Sequence, residues 1–502
     1  MTKTISEINQ KIRNKEAVVV TAEEMIKIVR ENGAKSASIE VDVVTTGTFG
    51  AMCSSGAFLN FGHSDPPIKL QKLRLNDVEA YGGIAAVDAY LGATQKSESD
   101  ENYGGAHVIE DLVSGKSIRL KAKSDGTDCY PNKKIETVIR INDLNQAVLL
   151  NPRNCYQNYA AATNCSKKTI HTYMGTLLSN TGNVTYSSAG QLSPLLNDPY
   201  FKTIGFGTRI FLGGAKGYVI GEGTQHNTNS TRKKGVPTTP SGTLMVKGNL
   251  KEMNPKYLRA ATFEGYGHTL YVGVGVPIPI LNPEIAEFTG ISNPEIFTKI
   301  YDYSVQKRSR PVIKEVNYEE LRSGFVEICG RDVPTSSLSS YKKAREIAYE
   351  LKEWICSGEF LLNSVFEILP QSECKGMKEI KKATLVNDIM KPIIICNPED
   401  SLEHAAQLIH KNQINHLPVV SDDKLVGIVT SWDIAKALAT GKNKLKEVMT
   451  TGVVTVEFGD KIDVAAIKLH KHKISALPVV DRTNKIRGII TSEDISKLMT
   501  IE

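Results

Sequence analysis

The sequence predicts a mixed α/β N-terminal part followed by a smaller β-α-β-β-α unit that occurs twice. The hexapeptides NHLPVV (415–420) and SALPVV (475–480) stand 60 residues apart, and the stretches GIVTSWD (427–433) and GIITSED (488–494) continue the repeat. Residues 1–370 contain no such repeat. They mix helical and strand patterns in an order that does not define a topology.

These observations divide the chain into four parts. Residues 1–370 form a large unduplicated domain, and the polar, lysine-rich stretch 371–384 is a linker. The two repeats occupy 385–443 and 444–502. In each repeat the first helix carries apolar residues at i, i+3 and i+4 spacing, which is typical of a helix that packs on one face.

The N-terminal domain contains a clear helix signal in TAEEMIKIVRENG (21–33). Thr21 and Glu24 have the spacing of a capping box, and Gly33 is a typical residue for a helix end. The following segment, ASIEVDVVTTGTF (37–49), predicts a strand that runs into a loop.

Three later segments also have interpretable patterns. Residues 224–243 contain almost no apolar side chains, which predicts a long mobile loop or lid. Alternating valine and glycine within 271–281 predict a buried strand that other backbone approaches closely. The apolar stripe of SSYKKAREIAYELKEWICSG (339–358) predicts an amphipathic helix.

The composition excludes several classes of function. With 41% hydrophobic and 23% charged residues, the 502-residue chain has the make-up of an ordinary globular protein. Its net charge of +6 comes from 61 basic and 55 acidic residues without a long basic run, so we expect no nucleic-acid interface. The N-terminus lacks the apolar core of a signal peptide, and no apolar stretch is long enough to span a bilayer. We therefore expect a cytoplasmic protein without membrane contact.

Eight cysteines occur, and none of them forms a C-x-x-C pair. We therefore predict no zinc ribbon, no iron–sulfur cluster and no other metal site in this chain. Signatures for nicotinamide, flavin or P-loop nucleotide binding are also missing, so no tightly bound cofactor is expected. The spacing of motifs alone does not name a reaction.

Two of the cysteines, Cys53 and Cys129, lie among turn-forming residues, in the segments 47–69 and 124–134. Free backbone N–H groups in such turns stabilise a thiolate, so both residues are candidate nucleophiles. A buried, inert thiol is the alternative for any single cysteine. The other six are assigned no chemistry: Cys155, Cys165, Cys329, Cys356, Cys374 and Cys396.

The L-P-V-V strand and the G-h-h-T-x-x-D turn, present in both repeats, resemble those of a cystathionine-β-synthase (CBS) domain pair. This resemblance implies an adenosyl ligand such as S-adenosylmethionine, and it implies a homodimer formed through the pair. The helix N-terminus and threonine hydroxyl in each turn suit a polar group, and the aspartate can accept ribose hydroxyls. The alternative is that each aspartate only caps its helix. The residues concerned are Thr430, Asp433, Thr491 and Asp494.

Seven stretches of the N-terminal domain carry a second resemblance: FGHSDPPIK (61–69), YGGIAAVDAYLGAT (81–94), YGGAHVIEDLVSGK (103–116), GTDCYP (126–131), NPRNCYQNY (151–159), FGTRIFLGGAKGYVIGEGTQHN (206–227) and GVGVPIPILN (273–282). They look like the homocysteine-biosynthesis family, the L-aspartate semialdehyde sulfurtransferases of methanogens and some anaerobic bacteria. The similarity runs over residues 5–370, and a C-terminal CBS pair is one arrangement found in that family.

The second resemblance implies a sulfurtransferase that forms L-homocysteine from L-aspartate 4-semialdehyde and sulfide. We expect Cys129 to hold the sulfur as a persulfide that attacks the aldehyde, with Cys53 resolving a disulfide or relaying sulfur. Reducing equivalents must come from outside the chain, and the implied partner is a small ferredoxin-like iron–sulfur protein. An adenosyl ligand at the CBS pair would then regulate turnover by feedback.

Five further residues are candidates for contacts with the substrate. His63 and Asp65 have the chemistry for acid and base catalysis near the carbonyl oxygen. Arg153 can hold the substrate carboxylate in a fork. His226 stands where a glycine-rich segment meets the polar loop, and His268 follows in EGYGHTLYVG. A structural role is the alternative for each of them.

Three other functions remain open from the sequence. A protein similar to inosine monophosphate dehydrogenase also combines a CBS pair with a cysteine loop, but there the pair interrupts a barrel, whereas here it is terminal. A non-catalytic regulator that senses an adenosyl nucleotide would not need Cys129. A carrier that passes persulfide sulfur to another acceptor would need Cys129 but would ignore aspartate semialdehyde. The sequence names neither the sulfur donor nor the CBS ligand.

Overall fold

The computed structural model describes residues 2–377 and 385–499, which belong to two compact units, Met1–Lys375 and Gly376–Glu502. The mixed α/β class is confirmed, as is the tandem β-α-β-β-α order of the C-terminal repeats. Residues 378–384 of the predicted linker lie outside the described residues. Within those that are described, no helix is long and apolar enough to cross a membrane.

A 13-stranded sheet organises the first unit. Its strands follow one another across the sheet in the order Leu258–Phe263, Gly267–Gly275, Arg209–Leu212, Ala215–Glu222, Leu244–Asn249, Gln146–Asn154, Gly56–Asn60, Asp88–Gly92, Val78–Tyr81, Lys72–Leu75, Ile118–Lys123 and Lys134–Ile139. Strand Thr48–Ala51 pairs with Gly267–Gly275 outside this path. Helices Gly105–Val113 and Tyr341–Cys356 both pack on Gly267–Gly275, so this strand lies within the core.

Smaller sheets complete the first unit. A six-stranded sheet has the order Val312–Asn317, Phe297–Asp302, Ala161–Thr163, Val184–Tyr186, Arg331–Ser337 and Phe325–Ile328. A three-stranded sheet joins Val19–Thr21, Val43–Thr45 and Pro277–Pro279. Two short pairs of strands join Ile170–Thr172 to Gly175–Leu177 and Gly205–Phe206 to Glu367–Ile368. The remaining helices are Ile5–Asn14, Ala22–Glu40, Pro194–Asn197, Pro283–Thr289 and Tyr318–Arg322.

The capping box predicted at Thr21 and Glu24 is confirmed. The Thr21 N–H donates to Glu24 Oε2 at 2.6 Å, and the Glu24 N–H donates to Thr21 Oγ1 at 3.3 Å. Gly33 interrupts the helix with a φ of 76°, but helical structure resumes and ends only at Glu40. The predicted strand was therefore wrong over residues 37–40, because this alanine-containing stretch has good helix propensity and buries Ala37 completely.

The polar segment 224–243, predicted as a long mobile loop or lid, consists mostly of loop. It forms a short hairpin, Arg232–Lys233 with Val236–Pro237, and its polar side chains bond to one another. Oγ atoms of Ser230 and Ser241 lie 2.9 Å apart, and the hydroxyl of Ser241 also donates to the carbonyl of Asn227 at 2.7 Å. Polar side chains of this segment thus form hydrogen bonds with one another within the fold. The spacing of apolar residues in the sequence does not reveal such bonds.

The predicted amphipathic helix in 339–358 and the predicted buried strand in 271–281 are both confirmed. The predicted helix runs over Tyr341–Cys356 with Ser340 as its N-cap. The predicted strand corresponds to Gly267–Gly275 and Pro277–Pro279. A Cβ atom on Gly275 would lie 3.0 Å from Cγ2 of Ile347, so the glycine allows the helix to approach the strand closely.

Gly47 permits the closest approach of this kind, and it stands directly before strand Thr48–Ala51. A Cβ atom there would lie 2.2 Å from the carbonyl oxygen of Ala344, which is helix backbone and cannot move aside. Gly47→Ala is therefore expected to lower the free energy of unfolding of the N-terminal unit by about 3 kcal/mol, measured by urea denaturation.

Gly92→Ala is the matched control, because a Cβ atom on Gly92 meets nothing within 4 Å. Its free energy of unfolding should stay close to that of the wild type. Equal stabilities for the two variants would contradict the proposed steric role of Gly47.

The second unit contains the two repeats. The first has helices Val386–Ile389, Leu402–Asn412 and Ser431–Ala439 and strands His416–Ser421 and Lys424–Thr430, with Cys396 bridging Val419 in parallel. The second has strands Val456–Glu457, Ala476–Val480 and Ile486–Thr491 and helices Ile462–His472 and Ser492–Met499. Each repeat is built around an apolar core, and the start of each repeat packs into the core of the other. Val386 belongs to the core of the second repeat, and Leu445 belongs to the core of the first.

Candidate active site

Cys53 lies in a tight turn between strands Thr48–Ala51 and Gly56–Asn60. The turn is closed by the Ser55 N–H, which donates to the carbonyl of Met52 at 3.0 Å. It is also tied to a distant strand, because the Ser54 hydroxyl donates to the carbonyl of Arg153 at 2.8 Å. The sheet thus brings Cys53 and Arg153, which are far apart in sequence, to the same place.

A cavity of about 340 Å³ opens beside this turn. Cys53 and Arg153 line it, together with tyrosines from several segments: Tyr156, Tyr159, Tyr173 and Tyr266. Its volume lies at the lower end of the range for small-molecule sites. The wall therefore combines one partly exposed thiol, one cation and several phenol hydroxyls in a space suited to a small polar molecule.

The Cys53 sulfur contacts two hydroxyl groups. Its Sγ lies 3.4 Å from Oγ1 of Thr269 and 3.6 Å from the phenol oxygen of Tyr266, which donates to it. Burial raises the pKa of Tyr266, and the hydrogen bond to Cys53 raises it further. Tyr266 therefore keeps its proton at physiological pH and can donate it toward sulfur or toward a group bound next to sulfur.

Arg153 has an unused hydrogen-bonding capacity. Its Nε atom is buried and has no hydrogen-bond partner, and no carboxylate within the described residues forms an ion pair with this side chain. A buried donor without a partner is costly, which is a reason to expect an anion at this position. A guanidinium group holds a carboxylate through two parallel hydrogen bonds.

Cys155 also lines the cavity, but its chemistry differs from that of Cys53. Its side chain is 3% exposed, and burial raises the pKa of its thiol to about 12. It therefore stays protonated, and a protonated thiol is a poor nucleophile. This supports the view of Cys155 as a bystander and leaves Cys53 as the reactive thiol of the cavity wall.

Cys129 lies elsewhere, on an exposed loop between strands Ile118–Lys123 and Lys134–Ile139, and it is not among the residues that line the cavity. The exposed residues His63 and Asp65 neighbour the same loop. The rings of His63 and Tyr130 stack with centroids 6.0 Å apart. The structure thus separates Cys53 and Arg153, which line the cavity, from Cys129, His63 and Asp65, which lie at the surface.

His226 and His268 are both buried and do not line the cavity. Nδ1 of His226 lies 2.9 Å from the carbonyl oxygen of Thr243, and Nδ1 of His268 lies 2.9 Å from Oγ1 of Thr262. Burial lowers the pKa of both imidazoles, so both are neutral at physiological pH. Their positions are those of histidines that support the surrounding backbone.

Sequence reasoning missed the tyrosines and Thr269. Tyr266 stands two residues before His268, in a segment that was noted for its histidine, and Tyr156 stands in NPRNCYQNY beside Arg153. The available signal was the concentration of tyrosines around the glycine-rich turns. Nothing in the sequence indicates that Tyr266, rather than His268, points to the sulfur.

The two turns of the CBS pair have the same internal bonding. In the first, the N–H and hydroxyl of Thr430 donate to Oδ2 of Asp433 at 2.9 and 2.7 Å. In the second, Thr491 bonds to Oδ2 of Asp494 in the same way, and Lys391 holds Oδ1 at 2.6 Å. In each turn the threonine therefore caps the helix and the aspartate completes a capping box. Among the described residues, Oδ1 of Asp433 has no partner like Lys391.

Comparison with known proteins gives a consistent result. The family model described as "Homocysteine biosynthesis enzyme, sulfur-incorporation" matches residues 17–362, and the CBS domain model matches 386–440 and 445–500. The chain is 57% identical to L-aspartate semialdehyde sulfurtransferase of Methanocaldococcus jannaschii, over 99% of this chain and 98% of that protein. It is 56% identical to the protein of the same name from Methanosarcina acetivorans, over 99% of both chains.

Among solved structures, one similar chain is a CBS domain pair crystallised with 5′-methylthioadenosine and S-adenosyl-L-methionine. It is 49% identical to this chain, and the match covers 24% of this chain and 98% of that one, with a TM-score of 0.23. Together, the two family models match most of the residues that the structure describes. The chain therefore belongs to the homocysteine biosynthesis family of sulfur-incorporating enzymes and carries a C-terminal pair of CBS domains.

Proposed function

We propose that this chain forms L-homocysteine from L-aspartate 4-semialdehyde and a sulfur donor at the persulfide or polysulfide level. The observation that carries the proposal is the placement of the Cys53 thiol, with two hydroxyl partners, in the same cavity as the Arg153 guanidinium, whose buried Nε has no hydrogen-bond partner. Both full-length relatives are named for this substrate and reaction type.

The cavity orients the substrate by its charge. Arg153 binds the carboxylate of aspartate semialdehyde. The aldehyde end then extends toward Cys53, whose turn is joined to the Arg153 backbone by the Ser54 hydrogen bond. The phenols of the wall exclude bulk water and donate hydrogen bonds. Holding the aldehyde beside the sulfur converts a bimolecular reaction into a step within one complex.

Cys53 carries the sulfur as a persulfide at the moment of transfer. This persulfide forms when the Cys53 thiolate takes the outer sulfur of a persulfide or polysulfide donor, whose remaining thiolate leaves, because sulfide itself could supply that sulfur only with a two-electron oxidant. Its terminal sulfur attacks the aldehyde carbon, forming the C–S bond and an alkoxide that takes a proton from Tyr266. The hydroxyl then leaves as water. In total, aldehyde and hydrogen sulfide take up two electrons and two protons to give a thiol and water, and cleavage of the persulfide S–S bond takes two electrons more.

This assignment changes the roles expected from sequence. Cys129 is exposed on a surface loop, so it is suited to receiving sulfur or electrons from outside and passing them on. His63 and Asp65 lie beside that loop rather than on the cavity wall, and Tyr266 takes the place of the acid near the carbonyl oxygen. The electrons come from an external reductant of the ferredoxin-like iron–sulfur class.

The direct test is product formation by the full chain. Aspartate semialdehyde, polysulfide as the sulfur donor and a low-potential chemical reductant are combined with the enzyme, and homocysteine is quantified against a reaction without enzyme. A rate no higher than that of the blank would favour the regulator. Transfer of labelled persulfide sulfur to another acceptor, without homocysteine, would favour the sulfur carrier.

The CBS pair is proposed to bind an adenosyl ligand and to alter turnover. Asp433 is the freer of the two aspartates, because Lys391 already holds Asp494. Asp433→Asn is expected to weaken binding of S-adenosylmethionine about tenfold in calorimetry, since asparagine preserves the helix cap but accepts ribose hydroxyls less strongly.

Asp463→Asn is the control for that experiment, because Asp463 lies in the first turn of helix Ile462–His472 and outside both threonine–aspartate turns. Its dissociation constant should match that of the wild type. An unchanged constant in Asp433→Asn would contradict a ligand contact there.

A homodimer through the CBS pair is also proposed. Large apolar side chains are exposed on the helices of both repeats, with Trp432 75%, Leu438 71% and Ile467 64% exposed. Apolar groups of this size are usually covered by a partner surface. Sedimentation of the full chain and of Trp432→Lys distinguishes a dimer through this surface from a monomer.

A further inference from the structure

Three side chains with metal-binding chemistry meet at the start of the first CBS repeat. Cys396, Asp400 and His404 follow one another at intervals of four residues, and their ligand atoms all lie within 4.8 Å of one another. One sulfur, one oxygen and one nitrogen thus converge outside the cavity of the N-terminal unit. The sequence alone assigns no chemistry to Cys396, because this residue lies in the CBS pair.

The backbone that carries these side chains is fixed by several hydrogen bonds. Cys396 is paired with the neighbouring strand, since its N–H donates to the carbonyl of Pro418 at 3.0 Å and its own carbonyl accepts from Val420 at 2.8 Å. Asp400 closes the following turn, because its Oδ2 accepts the Asn397 N–H at 2.8 Å. The Asp400 side chain also forms a hydrogen bond with the Cys396 thiol, and the proton of that thiol is the one that an ion bound between the two groups would replace.

His404 comes from the first turn of helix Leu402–Asn412. Its N–H donates to the hydroxyl of the N-cap Ser401 at 3.2 Å, which fixes the backbone at this position. Cys396 is buried, Asp400 is half-buried and His404 is exposed. The three side chains thus run from the interior to the surface, so an ion bound between them could also be reached by solvent.

The second repeat provides an internal comparison. At the same offset of 60 residues it has Val456, Asp460 and Val464 in place of the cysteine, the aspartate and the histidine. Asp460 closes the same turn, because its Oδ2 accepts the Glu457 N–H at 3.1 Å. The aspartate therefore serves the fold in both repeats, whereas the cysteine and histidine are not required by the fold.

We propose that Cys396, Asp400 and His404 bind a divalent metal ion of the zinc class. A thiolate, an imidazole and a carboxylate are ligands that Zn²⁺ accepts, and three protein ligands leave a fourth tetrahedral position for water or an added ligand. Binding releases the thiol proton to solvent, so that the thiolate and carboxylate together balance the charge of the ion.

The bound ion links the strand residue Cys396 to the first turn of the helix. It therefore stabilises the first CBS repeat in the region that precedes the Thr430–Asp433 turn in sequence. This inference is independent of the proposed sulfur chemistry, because none of the three residues lies in the N-terminal unit.

The test uses the full chain, freed of metal with a chelator and titrated with Co²⁺. We expect a thiolate-to-cobalt charge-transfer band that saturates at one equivalent and is displaced by Zn²⁺. Cys396→Val should lose this band, and His404→Val should weaken Co²⁺ binding by about tenfold or more. Both substitutions copy the residue of the second repeat, so the fold is expected to accept them.

Two controls separate this site from other thiols and from loss of structure. Cys53→Ser should keep the band, because Cys53 belongs to the other unit, and circular dichroism should show unchanged helix content in Cys396→Val. An identical titration for the wild type and Cys396→Val would overturn the proposal. The absence of any charge-transfer band in the wild type at saturating Co²⁺ would overturn it too.

Discussion

Cys53→Ser is expected to abolish homocysteine formation, lowering kcat/KM by about a thousandfold or more. Serine cannot form a persulfide, and the hydroxyl oxygen is a weak nucleophile at physiological pH. The sulfur of Cys53 is the one thiol on the cavity wall that is partly exposed, because Cys155 is buried and its pKa is raised to about 12. The measurement is steady-state product formation with saturating polysulfide and reductant.

Cys356→Ser is the matched control, because Cys356 is an exposed cysteine at the end of helix Tyr341–Cys356. It should retain the activity of the wild type. A Cys53→Ser enzyme with a kcat/KM within tenfold of the wild type would remove Cys53 from the sulfur-transfer step.

Cys129→Ser separates the two roles considered for that residue. If Cys129 only passes sulfur inward from the surface, a high concentration of polysulfide should load Cys53 directly and restore much of the activity of Cys129→Ser and none of that of Cys53→Ser. If Cys129 itself carries the persulfide to the aldehyde, polysulfide should rescue neither variant. The comparison therefore decides between the cavity-based and sequence-based assignments.

The sequence predicted those parts of the fold that depend on local pattern. The capping box of Thr21 and the amphipathic helix Tyr341–Cys356 follow from spacing within one segment, and the repeat follows from comparing the chain with itself. The 13-stranded sheet could not be predicted in this way. Strand Gln146–Asn154 pairs with Gly56–Asn60 and Leu244–Asn249, and such long-range pairing is decided by packing rather than by propensity.

The candidate site shows the same division. The turn around Cys53 was recognisable because glycine and serine surround it, and Arg153 was recognisable as a carboxylate ligand by its chemistry. Their meeting was not predictable, since it depends on a hydrogen bond between segments almost 100 residues apart. The exposure of Cys129 and the burial of His268 are also set by tertiary structure. The sequence-based prediction rested on residue type, and it therefore included both residues in the site.

Arg153→Ala is expected to lower kcat/KM for aspartate semialdehyde about 100-fold, which corresponds to about 2.7 kcal/mol of lost transition-state stabilisation. The guanidinium group has no carboxylate partner among the described residues, and a bound carboxylate would complete its hydrogen bonds. Arg153→Lys keeps the charge but loses the fork, so its kcat/KM should fall between those of the wild type and Arg153→Ala.

The aldehyde that lacks the carboxylate, 3-aminopropanal, makes this prediction specific. If Arg153 acts by binding the carboxylate, the wild type should lose about 100-fold in kcat/KM on this aldehyde, whereas Arg153→Ala should use both aldehydes with similar kcat/KM. A variant that still prefers aspartate semialdehyde by the wild-type ratio would show that another group binds the carboxylate. Because the ratio compares two substrates on one enzyme, a general loss of folded protein cancels, and the result reports on the cavity alone.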